Sequence, residues 1–104
     1  MDRLHHVAIV VPEVAAAVAW YRGQFGVEIV YEDATWALLR FANIDLALVV
    51  PGQHSPHIAI ERPDAKRYGT LKSHRDGTAS VYVDDPFGNV IEIMQAGLPA
   101  GRAA

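Results

Sequence analysis

Apolar residues in this chain come in short runs separated by turn-forming clusters, and only one stretch has helical spacing. Residues 4–11 are apolar and rich in β-branched side chains. They end at Pro12 and predict a buried strand. Pro12-Glu13 then opens a helix over 13–25: proline suits a first turn, and an acid suits the positive end of the helix dipole. Val14, Ala17, Val18, Tyr21 and Phe25 recur on one face, and Gly26 is expected to close the helix as a left-handed cap. Strands are predicted at 28–32, 36–41 and 44–50, with turns at Asp33-Ala34 and Asn43 and a loop over 51–56.

The second half opens the same way, with a strand over 57–61. Residues 62–69 are short, polar and interrupted by Pro63 and Gly69, so they barely permit a helix. A strand is expected over 68–74, a turn at Arg75-Asp76-Gly77, and a strand over 78–83. A tight turn over 84–89 follows, whose Gly88 and Asn89 suit positive φ, and then a last strand over 90–95. From Gly97 the chain is small and proline-containing, with a mobile end expected. The two halves read as βαβββ and a helix-poor ββββ, the mark of an internal duplication. The fold class is α+β, and a second helix of three turns within 62–76 is not expected.

Length and composition narrow this further. The 104 residues suit one domain, with module one at about 3–51 and module two at about 56–96, and half of them are apolar, enough for a packed core. There is no cysteine, which removes thiol chemistry, disulfides and cysteine-type zinc sites. A net charge of −3 with scattered Lys and Arg gives no basic patch for nucleic acid. No apolar run is long enough to span a membrane as a helix, and Met1-Asp2-Arg3-Leu4 lacks a signal-peptide pattern, so a soluble cytoplasmic protein is expected.

Three residues carry the candidate chemistry. His6 lies in the first apolar strand, His57 opens the fifth, and Glu92 sits inside the last. A lone histidine in an apolar strand is usually a hydrogen-bonded core residue. Glu92 is harder to treat so: Val90, Glu92 and Met94 share one face, Ile91 and Ile93 the other, and both faces read as covered. A buried carboxylate needs a partner or a metal. Two imidazoles and a carboxylate with open positions are the donors of non-haem Fe(II) oxygenases. His5 faces away from His6 and reads as structural. His54 and His74 read as surface or cleft-mouth histidines, Glu61 as a cleft or rim acid, and Tyr31, Trp36 and Arg40 as strand residues able to line a pocket.

The motifs Leu4-His5-His6-Val7-Ala8-Ile9, Trp20-Tyr21-Arg22-Gly23-Gln24-Phe25-Gly26, Ser55-Pro56-His57-Ile58-Ala59-Ile60 and Asp84-Asp85-Pro86-Phe87-Gly88-Asn89-Val90-Ile91-Glu92-Ile93 occur in this order over about residues 3–95. Together they resemble the vicinal-oxygen-chelate superfamily: glyoxalase I, fosfomycin-resistance proteins, extradiol dioxygenases and bleomycin-binding proteins. The resemblance implies paired βαβββ modules forming an open barrel-like sheet, here with most or all of the second helix deleted. It implies His6, His57 and Glu92 as metal ligands, with Ala47 where some members carry a fourth, acidic ligand and Asp45 two residues away. Tyr82 falls where fosfomycin-type members place a substrate-contacting tyrosine. Members of this size are commonly homodimers, with sites shared between chains. Loss of the helix would leave a face bearing Ile58, Ile60, Ile91 and Ile93 for a second copy or the C-terminal tail to cover.

The resulting expectation is a metal-dependent enzyme on a small oxygenated substrate, leaning towards an Fe(II) dioxygenase, with Mn(II), Ni(II) or Zn(II) as other metals. A glyoxalase-like lyase or isomerase is the nearest alternative. Tyr82, Glu61 and His74 are the catalytic candidates, and His54 is a further possible base. The basic cluster a phosphonate would need is missing. A metal-free binding protein of the bleomycin-resistance type is the alternative from another class, and a dimeric scaffold is the third.

Overall fold

The computed structural model describes residues 1–96. The chain divides into two compact units, one of His6–His57 and one of Met1–His5 with the chain from Ile58 onward. The elements are β1 (Arg3–Val10), α1 (Val14–Gln24), β2 (Glu28–Glu32), β3 (Trp36–Arg40), β4 (Asp45–Val49), β5 (His57–Arg62), a 3₁₀ turn (Ala65–Tyr68), β6 (Lys72–Ser73), β7 (Ala79–Asp84) and β8 (Val90–Gln95). The class is α+β, with a single α-helix among the described residues. No described helix is long and apolar enough to cross a membrane.

In the first unit the strands lie in the order β2-β3-β4-β1. β1 runs parallel to β4, with His6 opposite Asp45 and Ala8 opposite Ala47; a parallel neighbour needs a crossover, and α1 supplies it. The other two pairings are antiparallel, and β2 carries a bulge between Ile29 and Tyr31. Val14 and Val18 of α1 bury against Ala37, Leu39 and Leu48 on one face. Ala8, Leu38, Ala47 and Val49 form a second cluster on the other, bordered by Tyr31 and Trp36. Cover on both faces explains why β3 and β4 are apolar at nearly every position instead of alternating. His6 and Asp45 share strand parity with Ala8 and Ala47, which puts them on the face away from the helix.

The turn between β2 and β3 is held by one carboxylate. Asp33 Oδ1 accepts from the Thr35 N–H (2.8 Å), the Thr35 hydroxyl (2.8 Å) and the Trp36 N–H (3.0 Å), and Oδ2 accepts from the Tyr31 hydroxyl (2.5 Å). Burial pushes the Asp33 carboxyl upward, but these donors outweigh it and hold it well below the usual range. The same turn brings the Tyr31 and Trp36 rings into a stack, centroids 4.4 Å apart.

In the second unit the order is β5-β8-β7-β6. β7 and β8 pair antiparallel with Tyr82 opposite Glu92 and Ser80 opposite Met94. Their turn is tied by Asp85 Oδ1, which accepts from the N–H groups of Phe87 (2.8 Å) and Asn89 (3.0 Å), while Gly88 takes the left-handed conformation at φ 89°. Asn89, expected to share that conformation, keeps negative φ.

The missing second helix is confirmed: after Arg62, which ends β5, residues 63–76 hold only the 3₁₀ turn and the two-residue β6. The strand expected over 68–74 therefore shrinks to Lys72–Ser73, because the 3₁₀ turn and Gly69 consume its first residues. Gly69 sits at φ 151°, and a Cβ there would meet Val81 Cγ2 at 2.8 Å, so the short connection lies directly on β7. Buried Ala65 and buried Ile93 belong to the same packing of the turn on β7 and β8. The face expected to stand open is thus partly closed: Ile93 is buried, Ile60 and Ile91 are half-buried, and Ile58 is exposed. Cover by the tail from Gly97 lies outside the described residues. Gly26 also departs from expectation. The α1 helix ends at Phe25 in extended backbone, whose N–H bonds the Tyr21 carbonyl at 2.9 Å, and Gly26 does not adopt positive φ.

Because Gly69 combines a glycine-only φ with close approach to Val81, Gly69→Ala should lower the unfolding free energy by about 1–3 kcal/mol. Urea denaturation measures this; an unchanged midpoint would contradict the packing described for the short connection.

Candidate functional site

His6 and His57 stand at the first and last residues of the first unit. Each is 7 % exposed. Their Nε2 atoms are 3.2 Å apart, with ring planes inclined at 74°. His57 Nδ1 lies 2.7 Å from the Ser55 carbonyl oxygen. A carbonyl can only accept, so Nδ1 carries the proton, and neutral His57 presents a lone pair at Nε2. Two nitrogens about 2.1 Å from a shared ion would stand about 3.0 Å apart at a right angle and about 3.4 Å apart at the tetrahedral angle. The observed separation falls between these values, and the Ser55 contact is the outer hydrogen bond that metal-bound histidines use.

Asp45, the cross-strand neighbour of His6, is fully buried, and its Oδ1 lies 3.7 Å from Arg40 Nε. Arg40 reaches Glu28 on its other side at 3.4 Å. Ala47 is buried among Ala8, Leu38 and Val49 and brings no donor.

In the second unit Glu92 is 4 % exposed, in the middle of β8. The Ser80 hydroxyl donates to its Oε2 at 2.7 Å. His74 Nε2 lies 2.6 Å from Ser80 Oγ and 3.5 Å from Glu92 Oε2. Tyr82, cross-strand from Glu92, hydrogen-bonds the carboxylate. Burial first, then the charge and hydrogen bond of Glu92, push its phenol well above the ordinary tyrosine value. The phenol is therefore a proton donor at neutral pH.

Three of the sequence candidates thus meet in one cluster: Glu92, His74 and Tyr82. Glu61 forms an ion pair with Arg3, 3.5 Å away. His5 is buried and His54 half-buried in the loop before β5. Ser80 and Ser55 were not singled out by sequence. Ser80 had a signal: it shares parity with Tyr82 on β7, a small polar residue on the strand face that also carries Glu92's partner. Nothing local marks the Ser55 carbonyl. His6 and His57 are buried in the first unit and Glu92 is buried in the second, each offering an atom of the kind a metal ion takes.

Residues 3–69 match the family model described as the Glyoxalase/Bleomycin resistance protein/Dioxygenase superfamily. No curated protein gives a significant match. Among solved structures, the chain is similar to the methylmalonyl-CoA epimerase of Mycobacterium tuberculosis at 20 % identity, covering 88 % of this chain and 86 % of that one, with a TM-score of 0.72. It is similar to a Streptomyces coelicolor methylmalonyl-CoA epimerase in complex with 2-nitronate-propionyl-CoA at 16 % identity, 94 % and 97 % coverage and a TM-score of 0.71. A superfamily member from Vibrio splendidus 12B01 matches at 13 % identity, 90 % and 98 % coverage and a TM-score of 0.63. At these identities the likeness is one of fold.

The Tyr82 environment predicts a pH effect. A phenol whose folded pKa is raised contributes stability that is complete below the unfolded value of about 10 and is lost as pH climbs from there towards the folded value. Wild-type stability should therefore fall more steeply above about pH 10 than that of Tyr82→Phe. Parallel slopes in denaturant titrations across that range would contradict the assignment.

Proposed function

Because the chain belongs to the glyoxalase/bleomycin resistance protein/dioxygenase superfamily, we propose that it is a metal-dependent enzyme whose small substrate chelates a divalent ion through two adjacent oxygens. The observation that carries this reading is the histidine pair: two buried Nε2 atoms 3.2 Å apart, with the far nitrogen of His57 held by a carbonyl. His6, His57 and Glu92 would hold the ion. When bound, it supplies Lewis-acid polarisation of the substrate oxygens, which acidifies a neighbouring C–H.

The chain's own residues define the rest. Tyr82 keeps its proton and donates it to the Glu92 carboxylate, so its part is to hold that ligand, with the phenol oxygen left to accept. Glu61, paired with Arg3, and His74, through the ring nitrogen that is not bonded to Ser80, are the remaining acid–base candidates. Proton transfer beside a carbonyl, the chemistry of an isomerase or lyase, is the first reading. Its support is the resemblance to epimerases crystallised with CoA esters. An Fe(II) dioxygenase is the second, favoured by the two-imidazole, one-carboxylate donor set. Solvent deuterium entering C2 of methylmalonyl-CoA, used as a probe, supports the first; oxygen uptake by the iron-loaded protein with a catechol supports the second. A homodimer belongs to the same proposal, with exposed Leu4 and Ile58 as candidates for cover by a second copy.

His57→Ala should abolish one-to-one binding of Mn(II) or Co(II) to chelator-treated protein while leaving the fold intact by circular dichroism. Metal titration by calorimetry checks it. Undiminished stoichiometric binding would remove His57 from the centre and overturn the three-ligand assignment, whereas no binding by the unaltered chain would favour a metal-free binding protein.

A further inference from the structure

The hydrogen bonds around Glu92 have a direction. As a metal ligand Glu92 must be deprotonated, and a carboxylate only accepts. The Ser80 hydroxyl has one proton, and at 2.7 Å it goes to Oε2. Ser80 Oγ must then accept at its 2.6 Å contact, so His74 carries a proton on Nε2. The chain runs His74 Nε2–H to Ser80 Oγ–H to Glu92 Oε2. All three residues belong to the second unit, and Ser80 is 1 % exposed.

We infer that Ser80, backed by His74, is a positioning residue that occupies Oε2 of Glu92 and so makes it a one-oxygen ligand through Oε1. This inference rests on the metal reading above and assigns a role to a residue that the ligand set does not contain. Without the Ser80 proton, Oε2 loses its 2.7 Å donor, and the carboxylate, left with the Tyr82 phenol, can turn on its Cγ–Cδ bond or bind through both oxygens. A second carboxylate oxygen on the ion would take one of the open positions that a two-oxygen substrate needs. The chain also fixes the part His74 plays. Its Nε2 is committed as a donor to Ser80, so this nitrogen is not a base towards substrate.

The test is Co(II) titration of the full chain, read both by affinity and by the visible absorption of the bound ion, which reports coordination number. Ser80→Ala should bind Co(II) about 10–100-fold more weakly, with an altered spectrum and an unchanged apo fold. Ser80→Thr, which keeps the hydroxyl, should restore the wild-type spectrum. His74→Phe should weaken binding in the same direction, and it carries the test if Ser80→Ala does not fold. If Ser80→Ala (or His74→Phe in its place) keeps wild-type affinity and spectrum while His57→Ala abolishes binding, the role of Ser80 is overturned and the metal reading stands. If the unaltered chain takes up no Co(II), both are overturned.

Discussion

A carboxylate in the middle of an apolar strand must be compensated, and the second unit is arranged around that need. Leaving Glu92 charged and unpaired at 4 % exposure would cost several kcal/mol, comparable to the stability of a small domain. The compensation comes from donors on neighbouring elements. Ser80 donates from β7, His74 stands behind Ser80, and Tyr82 lies directly across the strand pair. The carboxylate in turn holds the Tyr82 phenol in its protonated form. A metal ion would be the strongest compensation of all, and the two histidines meet its geometric demand from their own side. Their nitrogens are spaced for a shared ion, and one ring is fixed in the tautomer that frees the facing atom.

The lost helix shows how little chain is needed to close a sheet face. Four residues of 3₁₀ turn and a glycine replace it, seated on β7 and β8. Arg62 fixes the start of this connection, bonding Asp64 at 2.8 Å and Asp2 at 2.6 Å, and the Gln95 amide donates to the Pro63 carbonyl at 2.6 Å. These contacts tie the connection at both ends of the unit, to the chain's first residues and to the end of β8. The cost is incomplete cover: the turn is short, so Ile93 is buried while Ile58 stays exposed. The donors to Glu92 lie on the other side of β7 and β8, since Ser80 and Tyr82 have opposite parity to Val81, against which Gly69 packs.

Much of this was legible in the chain because it follows from local pattern. Alternation and apolar runs place the long strands within about a residue of their observed ends. The Pro63 and Gly69 interruptions announce the missing helix, and Asp33 and Gly88 mark turns whose side-chain and backbone roles are set within a few residues. His6, His57 and Glu92 stand out because their polarity conflicts with the strands that carry them, and all three are buried. What was not legible depends on register. Ser80 looks like an ordinary polar position in an alternating strand until the pairing of β7 with β8 sets it beside Glu92. His74 reads as a surface histidine until the short β6 places it against Ser80. The Ser55 carbonyl carries no side-chain signal at all. Gly26 shows the limit of turn rules: the helix ends in extended backbone, so the glycine has no left-handed position to fill.

The central claim is that His6, His57 and Glu92 bind one ion together. Crystals grown with Mn(II) and measured for anomalous scattering test it most directly. The account predicts a single strong peak within about 2.0–2.2 Å of His6 Nε2, His57 Nε2 and one oxygen of Glu92. A peak held by other residues, or none in fully loaded crystals, would contradict it.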